Sequence, residues 1–283
     1  MKLLQDIHIR DPFILTDSPN RRYVMYGTIG ETAWTGQPVG FDAYITEDLI
    51  HWEGPVAVFR PNVDFWSDQH YWAPEVHEYK GAYYMLASFK AEHACRATQI
   101  LRSDSPLGPF LPYGPGPITP ADWECLDGTL HIDGQGQPWV IFCREWLEVG
   151  DGQVWAAPLL PDLTARADEP VLLFRASEAA WSRAMHDGKD YVTDGPFLYS
   201  GAQGELNMLW SSQGEKGYAM GKAISASGEI IGPWRQQERP LFAENGGHGM
   251  IFTALDGQRY ISLHTPNDHP FERQVFIPLP KDA

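Results

Sequence analysis

The chain has 283 residues, 43% hydrophobic, 13% aromatic and 20% charged, enough apolar content for one large globular domain. Its formal charge of −16 and pI near 4.9 describe an acidic surface that repels phosphates, so nucleic acid and anionic membrane are not expected as partners and a neutral ligand is favoured. No apolar run approaches the length of a membrane-spanning helix. The three cysteines, Cys95, Cys125 and Cys143, lack metal-like spacing and read as free thiols. Together with an N-terminus, "MKLLQDIHIRDPF", that has no apolar signal core, they predict a cytoplasmic location.

Taken in chain order, five segments share one layout: "RDPFILTDSPNRRYVMYGT", "APEVHEYKGAYYMLAS", "LDGTLHIDGQGQPWVIFC", "TDGPFLYSGAQGELNMLWSS" and "GGHGMIFTALDGQRYISLHT". Each opens on an ionisable residue beside Pro or Gly, enters an apolar strand, turns at a polar cluster and returns as a second strand. The opening residues are Asp11, Glu75, Asp127, Asp194 and His248, separated by 64, 52, 67 and 54 positions. Between them, "DAYITEDLIHWEGP", "ILRSDSPLGPFLPY" and "AISASGEIIGPWRQQ" read as outer strands, and only Ser177 to Met185 has a helical look. A period in the fifties to sixties accommodates four short strands, the content of a propeller blade. The expectation is therefore an all-β, five-bladed β-propeller with four-stranded blades, a single domain over residues 1–283.

In a propeller the first strand of every blade lines the axis and all run in one direction. Asp11, Glu75, Asp127, Asp194 and His248 are thus expected around one funnel. An isolated acid beside Pro or Gly more simply caps a turn. Four converging carboxylates instead raise one another's pKa, which points to chemistry. The second strand of blade three ends "VIFCREWLE", placing Glu145 at the same mouth with Arg144 and Trp146, where Trp146 would desolvate the carboxyl. His70 and Trp72 precede the blade-two strand, Trp34, Phe41 and Trp66 lie on loops, and His264 ends a blade-five strand, so these are the candidate sugar contacts. Arg10 and Arg144 are the arginines expected near the ring.

Paired carboxylates in an aromatic pocket suit glycoside hydrolysis, where one group protonates the leaving oxygen and another activates water or attacks carbon. The chain has no G-x-S-x-G, H-E-x-x-H, P-loop or dinucleotide fingerprint. "RDPFI", "WAPE", "LDGTLHIDGQGQPW", "TDGPFL" and "GGHGMIF", in this order over nearly the whole chain, resemble glycoside hydrolase family 43. The resemblance implies a five-bladed propeller and an inverting hydrolase of arabinosides, xylosides or galactosides. It implies Asp11 as general base, Asp127 as the group tuning the acid, and His248 under the pocket near an axial calcium ion or water cluster, with no cofactor required for the chemistry.

The family's acid is a glutamate where this chain has Asp194, one methylene shorter. Glu145 and Asp194 therefore stand as alternative proton donors, with Glu75 behind them. The leading expectation is an exo-acting inverting glycosidase that removes terminal pentosyl residues from a small oligosaccharide or aryl glycoside. α-L-Arabinofuranosyl is favoured over β-D-xylosyl or galactofuranosyl. The alternatives are a sugar-binding propeller that has lost its acid and a phosphorylase, which would need more basic side chains.

Overall fold

The structure, a computed structural model, describes residues 1–34 and 37–280. Five antiparallel sheets surround an axis as the blades of a β-propeller. A short strand β1 (Lys2–Leu3) precedes blade one, built from β2 (Ile9–Asp17), β3 (Arg22–Ile29), β4 (Phe41–Thr46) and β5 (His51–Phe59). Blade two contains β6 (Gln69–Tyr79), β7 (Ala82–Ala91), β8 (Ala94–Ser103) and β9 (Leu111–Pro112). Blade three has β10 (Cys125–Ile132), β11 (Pro138–Arg144), β12 (Gln153–Pro158) and β13 (Val171–Arg175). Blade four has β14 (Asp194–Ser200), β15 (Leu206–Gly214), β16 (Gly217–Ser225) and β17 (Trp234–Gln236). Blade five, with β18 (Gly247–Thr253), β19 (Arg259–Thr265) and β20 (Arg273–Pro278), has three strands among the described residues. The five repeats found in the sequence are the inner hairpins of the five blades. The stretch from Ser177 to Met185 is not a helix; it lies between two 3₁₀ turns, Ala176–Glu178 and His186–Gly188.

All five inner hairpins carry the same irregularity. In blade one Arg10 pairs with Thr28 and Phe13 with Tyr26, so two residues of β2 oppose one of β3. The same two-against-one β-bulge follows Trp72, Leu126, Asp194 and Gly247. Its first residue is left-handed in every blade: Asp11, Ala73, Asp127, Gly195 and His248 have φ of 53°, 46°, 54°, 53° and 49°. Asp, His and Gly are the residue types that enter this region most readily. The following residue is Pro12, Pro74, Gly128, Pro196 or Gly249.

This register corrects the equivalence expected from sequence. Asp11, Asp127 and His248 occupy the bulge itself, whereas the residues matching them in blades two and four are Ala73 and Gly195. Asp194 stands one residue before its bulge and Glu75 two residues after. Glu75 is not among the residues lining the cavity, and its carboxylate lies 3.1 Å from His77 Nε2.

Four of the five bulge N–H groups find an acceptor on the second strand of the preceding blade. Ala73 N–H donates to Thr28 Oγ1 at 2.8 Å, Asp127 N–H to Ser88 Oγ at 2.8 Å, and His248 N–H to Ser211 Oγ at 2.8 Å. Asp11 N–H donates to His264 Nδ1 at 3.2 Å. The equivalent side chain between blades three and four is Cys143, a weak acceptor. There Gly195 N–H turns instead to Asp127 Oδ2 at 3.0 Å. This belt of bonds satisfies buried donors that would otherwise be orphaned, and it sets the tops of the inner strands relative to one another.

The main core lies beneath the outer strands of blades one and two, where Phe41, Phe59, Tyr71 and Phe89 pack ring against ring. Phe41 is fully buried in that cluster and takes no part in the pocket rim that its sequence position suggested. Trp66 leans on the same core and donates its indole N–H to Gln99.

Candidate active site

One cavity of about 340 Å³ opens over the axis, lined by Asp11, Asp127, Glu145, Asp194 and His248, with His70, Trp72 and Trp146 on its walls. The structure thus brings together most of the residues singled out from the sequence. Glu75 and Phe41 lie outside the lining, and His264 lies directly beneath it. Three residues that carried no functional assignment complete the site: Arg96 on β8, Tyr218 on β16 and Thr28 on β3. Arg96 replaces Arg144 as the second arginine, for Arg144 instead pairs with Glu148 and stacks on Trp123.

The floor is an interlocked set of carboxylates and imidazoles. Asp11 Oδ2 accepts from Thr28 Oγ1 at 2.6 Å, and Asp11 Oδ1 lies 3.2 Å from His248 Nδ1. The same His248 nitrogen is 3.7 Å from Asp127 Oδ2. His264 is fully buried; because its Nδ1 accepts from the Asp11 backbone, its Nε2 carries the hydrogen that faces Asn267 Oδ1 at 3.0 Å. Burial accordingly pushes the His264 pKa down to about 4, leaving a neutral ring at neutral pH.

Three aspartates in one hollow titrate differently because their neighbours differ. Burial works to raise Asp11, but His248, His264, Arg10 and the Thr28 hydroxyl outweigh it and hold the carboxyl below its ordinary value. Burial raises Asp127 well above its ordinary value, reinforced by the charge of Asp11. Burial also raises Asp194 to about 7, helped by Asp127 and opposed by His248 and by the Tyr218 hydroxyl, which donates to Asp194 Oδ2 at 2.9 Å. The hollow therefore holds one carboxyl kept low, Asp11, beside two that burial raises, Asp127 and Asp194, the latter poised to give up a proton near neutral pH.

The wall is aromatic and cationic. His70 stacks on Trp72 with ring centroids 4.5 Å apart, and the Arg96 guanidinium lies 4.1 Å over the same indole. Trp72 donates its indole N–H to Ala33 O at 2.6 Å, which fixes the ring. Arg96 Nε faces Glu145 Oε2 at 3.4 Å. Burial raises the Glu145 pKa against the opposing pull of Arg96, and it lowers His70 to about 4 with help from the Arg96 charge. Trp146 follows Glu145 as the first residue of a one-turn helix, Trp146–Val149, which places both at the mouth. Trp34, half-exposed, packs edge-on against Trp72 and under Arg10.

A calcium ion near the axis, expected beside His248, would draw most of its ligands from groups other than this ring. Calcium takes six to eight oxygen ligands, whereas His248 offers a nitrogen already directed at Asp11 and Asp127, and its ring edge faces Gly195, where a Cβ would come within 2.7 Å of Cδ2. Among the described residues, no helix is long and apolar enough to cross a membrane.

The sequence profile of glycosyl hydrolases family 43 matches residues 6–279. The chain belongs to that family. It is 41% identical to the crystal structure of endo-arabinase from Bacteroides thetaiotaomicron VPI-5482, with a TM-score of 0.91 over 98% of this chain and 96% of that one. It is 22% identical over 262 residues to the extracellular exo-α-(1→5)-L-arabinofuranosidase ArbA of Cellvibrio japonicus (strain Ueda107), covering 80% of this chain and 72% of the relative. It also shares its fold with the α-L-arabinofuranosidase from Lactobacillus brevis, at 18% identity and a TM-score of 0.76 over 98% and 94% of the two chains. The family 43 protein is a glycoside hydrolase, and its chemistry requires no cofactor.

Proposed function

We propose that this glycoside hydrolase removes terminal α-L-arabinofuranosyl residues from small oligosaccharides with inversion, and that β-D-xylosyl and galactofuranosyl groups are poorer substrates. Asp11 is the general base, Asp194 the general acid and Asp127 the group that tunes the pKa of Asp194. The observation that carries this reading is the separation of two titrations in one cavity: Asp11 held low, Asp194 lifted to about 7 beside Asp127.

In this scheme Asp11, locked by Thr28 and His248, accepts a proton from water as that water attacks the anomeric carbon. Asp194 donates its proton to the departing oxygen, and the Tyr218 hydroxyl stabilises the carboxylate that results. Trp72, Trp146 and His70 offer flat apolar faces to the sugar, and Arg96 with Glu145 offers paired hydrogen-bonding groups to its hydroxyls. A cavity of about 340 Å³ is at the small end of ligand pockets, which supports exo action on a chain end. We read the compartment as cytoplasmic on the strength of three free thiols, two of them buried.

A second donor assignment rests on Glu145, whose buried carboxyl is also raised and whose strongest neighbour is Arg96 rather than the aspartate cluster. Asp194 is preferred because it alone of the two feels Asp127 strongly.

Turnover of nitrophenyl α-L-arabinofuranoside, β-D-xylopyranoside and galactofuranoside, with NMR of the first-formed anomer, tests the reading. The expected outcome is fastest release of β-arabinose, as monosaccharide only, from arabino-oligosaccharides. No turnover on any substrate overturns hydrolysis of these sugars; an α-anomer overturns inversion; internal cleavage products overturn exo action.

A further inference from the structure

Among the described residues no strand is shared between the first and last blades: β1 adds to the outer strand of its own blade, with Lys2 opposite Trp52. The first and last blades are instead joined by side chains: Thr16 Oγ1 to Thr253 O, Tyr23 Oη to Leu255 N–H, and Arg10 to Glu272 and Asn267. On this seam His8, His269 and Glu272 bring one ligand atom each within 4.8 Å of one another.

We propose that these three residues bind a zinc-class divalent cation that staples the first blade to the last. His8 Nε2 lies 3.0 Å from Glu272 Oε2, and His269 Nδ1 lies 3.6 Å from Glu272 Oε1. Two ligands of a tetrahedral zinc ion, each about 2.0–2.1 Å from the metal, stand about 3.3 Å apart, close to the spacing between His8 Nε2 and Glu272 Oε2. The His8 and His269 rings are 5.6 Å apart by centroid, and His269 is 42% exposed, so its ring is free to close the remaining gap.

The surroundings are those of a metal site. Glu272 is fully buried and its Oε1 accepts from Arg10 Nη1 at 2.6 Å, which orients the carboxylate and leaves Oε2 toward His8. His8 Nδ1 faces Glu31 Oε1 at 3.8 Å, so when Nε2 takes the metal the ring hydrogen sits on Nδ1 against a carboxylate. Two imidazoles and one carboxylate suit zinc, cobalt or nickel and are a poor set for calcium. The exposed side leaves a fourth position for water. His8 and Glu272 are 264 residues apart in sequence, so the ion would be a cross-link across nearly the entire chain.

The test uses the chelator-treated full chain with Zn²⁺ and Co²⁺ as probes. Expected are one equivalent of Zn²⁺ by calorimetry, a Tm that rises by about 5 °C at a hundredfold excess over Kd, a visible Co²⁺ spectrum of low coordination number, and no response to Ca²⁺. Exposed His269→Ala, which spares the buried pair, should weaken Zn²⁺ at least about tenfold, and His8→Gln should do so independently. Absence of stoichiometric binding, or binding and Tm shift unchanged in both variants, overturns the site.

Discussion

Removing the Tyr218 hydroxyl isolates the feature on which the proposed acid depends. Tyr218 is almost fully buried, its hydroxyl donates to Asp194 Oδ2 at 2.9 Å, and its ring stacks on His264 with centroids 5.8 Å apart. Tyr218→Phe keeps the stack and deletes the donor. A hydrogen bond to a charged acceptor is worth about 1.5–3 kcal/mol, against about 0.5–1.5 for a neutral one. The bond therefore favours the ionised carboxylate by roughly 1.4 kcal/mol, or about one pKa unit. Asp194, poised at about 7, should move up to about 8 in the variant. The assay is the pH dependence of kcat/KM on an aryl arabinofuranoside with a poor leaving group, which reports the free enzyme. The alkaline limb should move upward by about one unit while the acid limb, set by Asp11, stays in place. An alkaline limb that does not move, or that moves downward, refutes Asp194 as donor. An unmoved limb is also what donation by Glu145 requires, since Tyr218 does not touch it.

Asp194→Asn should lower kcat/KM roughly 10²–10⁴-fold on a poor leaving group and much less on dinitrophenyl glycosides, whereas Asp11→Asn should be inactive on both. The same Asp194→Asn change bears on stability. The native carboxyl titrates near 7 against an ordinary 3.8, so the stability it contributes is full below about pH 4 and is lost as pH rises through 7. Asn has no such loss, so denaturant unfolding should show the variant gaining about 4 kcal/mol on the wild type between pH 4 and pH 8; a constant difference would refute the shift. Ser88→Ala removes the acceptor of the Asp127 bulge N–H and should destabilise by about 1–3 kcal/mol in urea unfolding, with no loss contradicting the belt between blades. Gly195→Ala puts a methyl group 2.7 Å from His248 at φ +53°, and should cut turnover about a hundredfold by shifting His248 from Asp11. Wild-type turnover in that variant would show that the His248 position is immaterial.

Much of this protein was legible in one dimension because repetition is a one-dimensional property. The inner hairpins recur with acid, Pro or Gly at their openings, so blade number, the axial funnel and Asp11, Asp127 and His248 as its residues followed from pattern alone. The alignment of the acids did not. The acids of the five openings suggest Glu75 and Asp194 as equivalents of Asp11, but the bulge is marked by the residue directly before Pro or Gly, and by that mark the equivalents are Ala73 and Gly195. The signal lay in "RDP", "WAP", "LDG", "DGP" and "GHG", whose central residue is the left-handed one.

What the chain order hides is any contact made between blades or from an outer strand. Arg96 lies in the third strand of blade two and meets Glu145 from blade three, 49 residues away, only because adjacent blades pack. Tyr218 reaches Asp194 from the third strand of its own blade. Phe41, with the same loop-edge setting as Trp34, went inward because three rings of blades one and two closed around it. The amino-acid sequence by itself determined five blades and the residue types at their axial ends, since strand period and turn chemistry are local. Which carboxyl keeps its proton was decided by burial and by neighbours distant in sequence, and these exist only once the ring has closed.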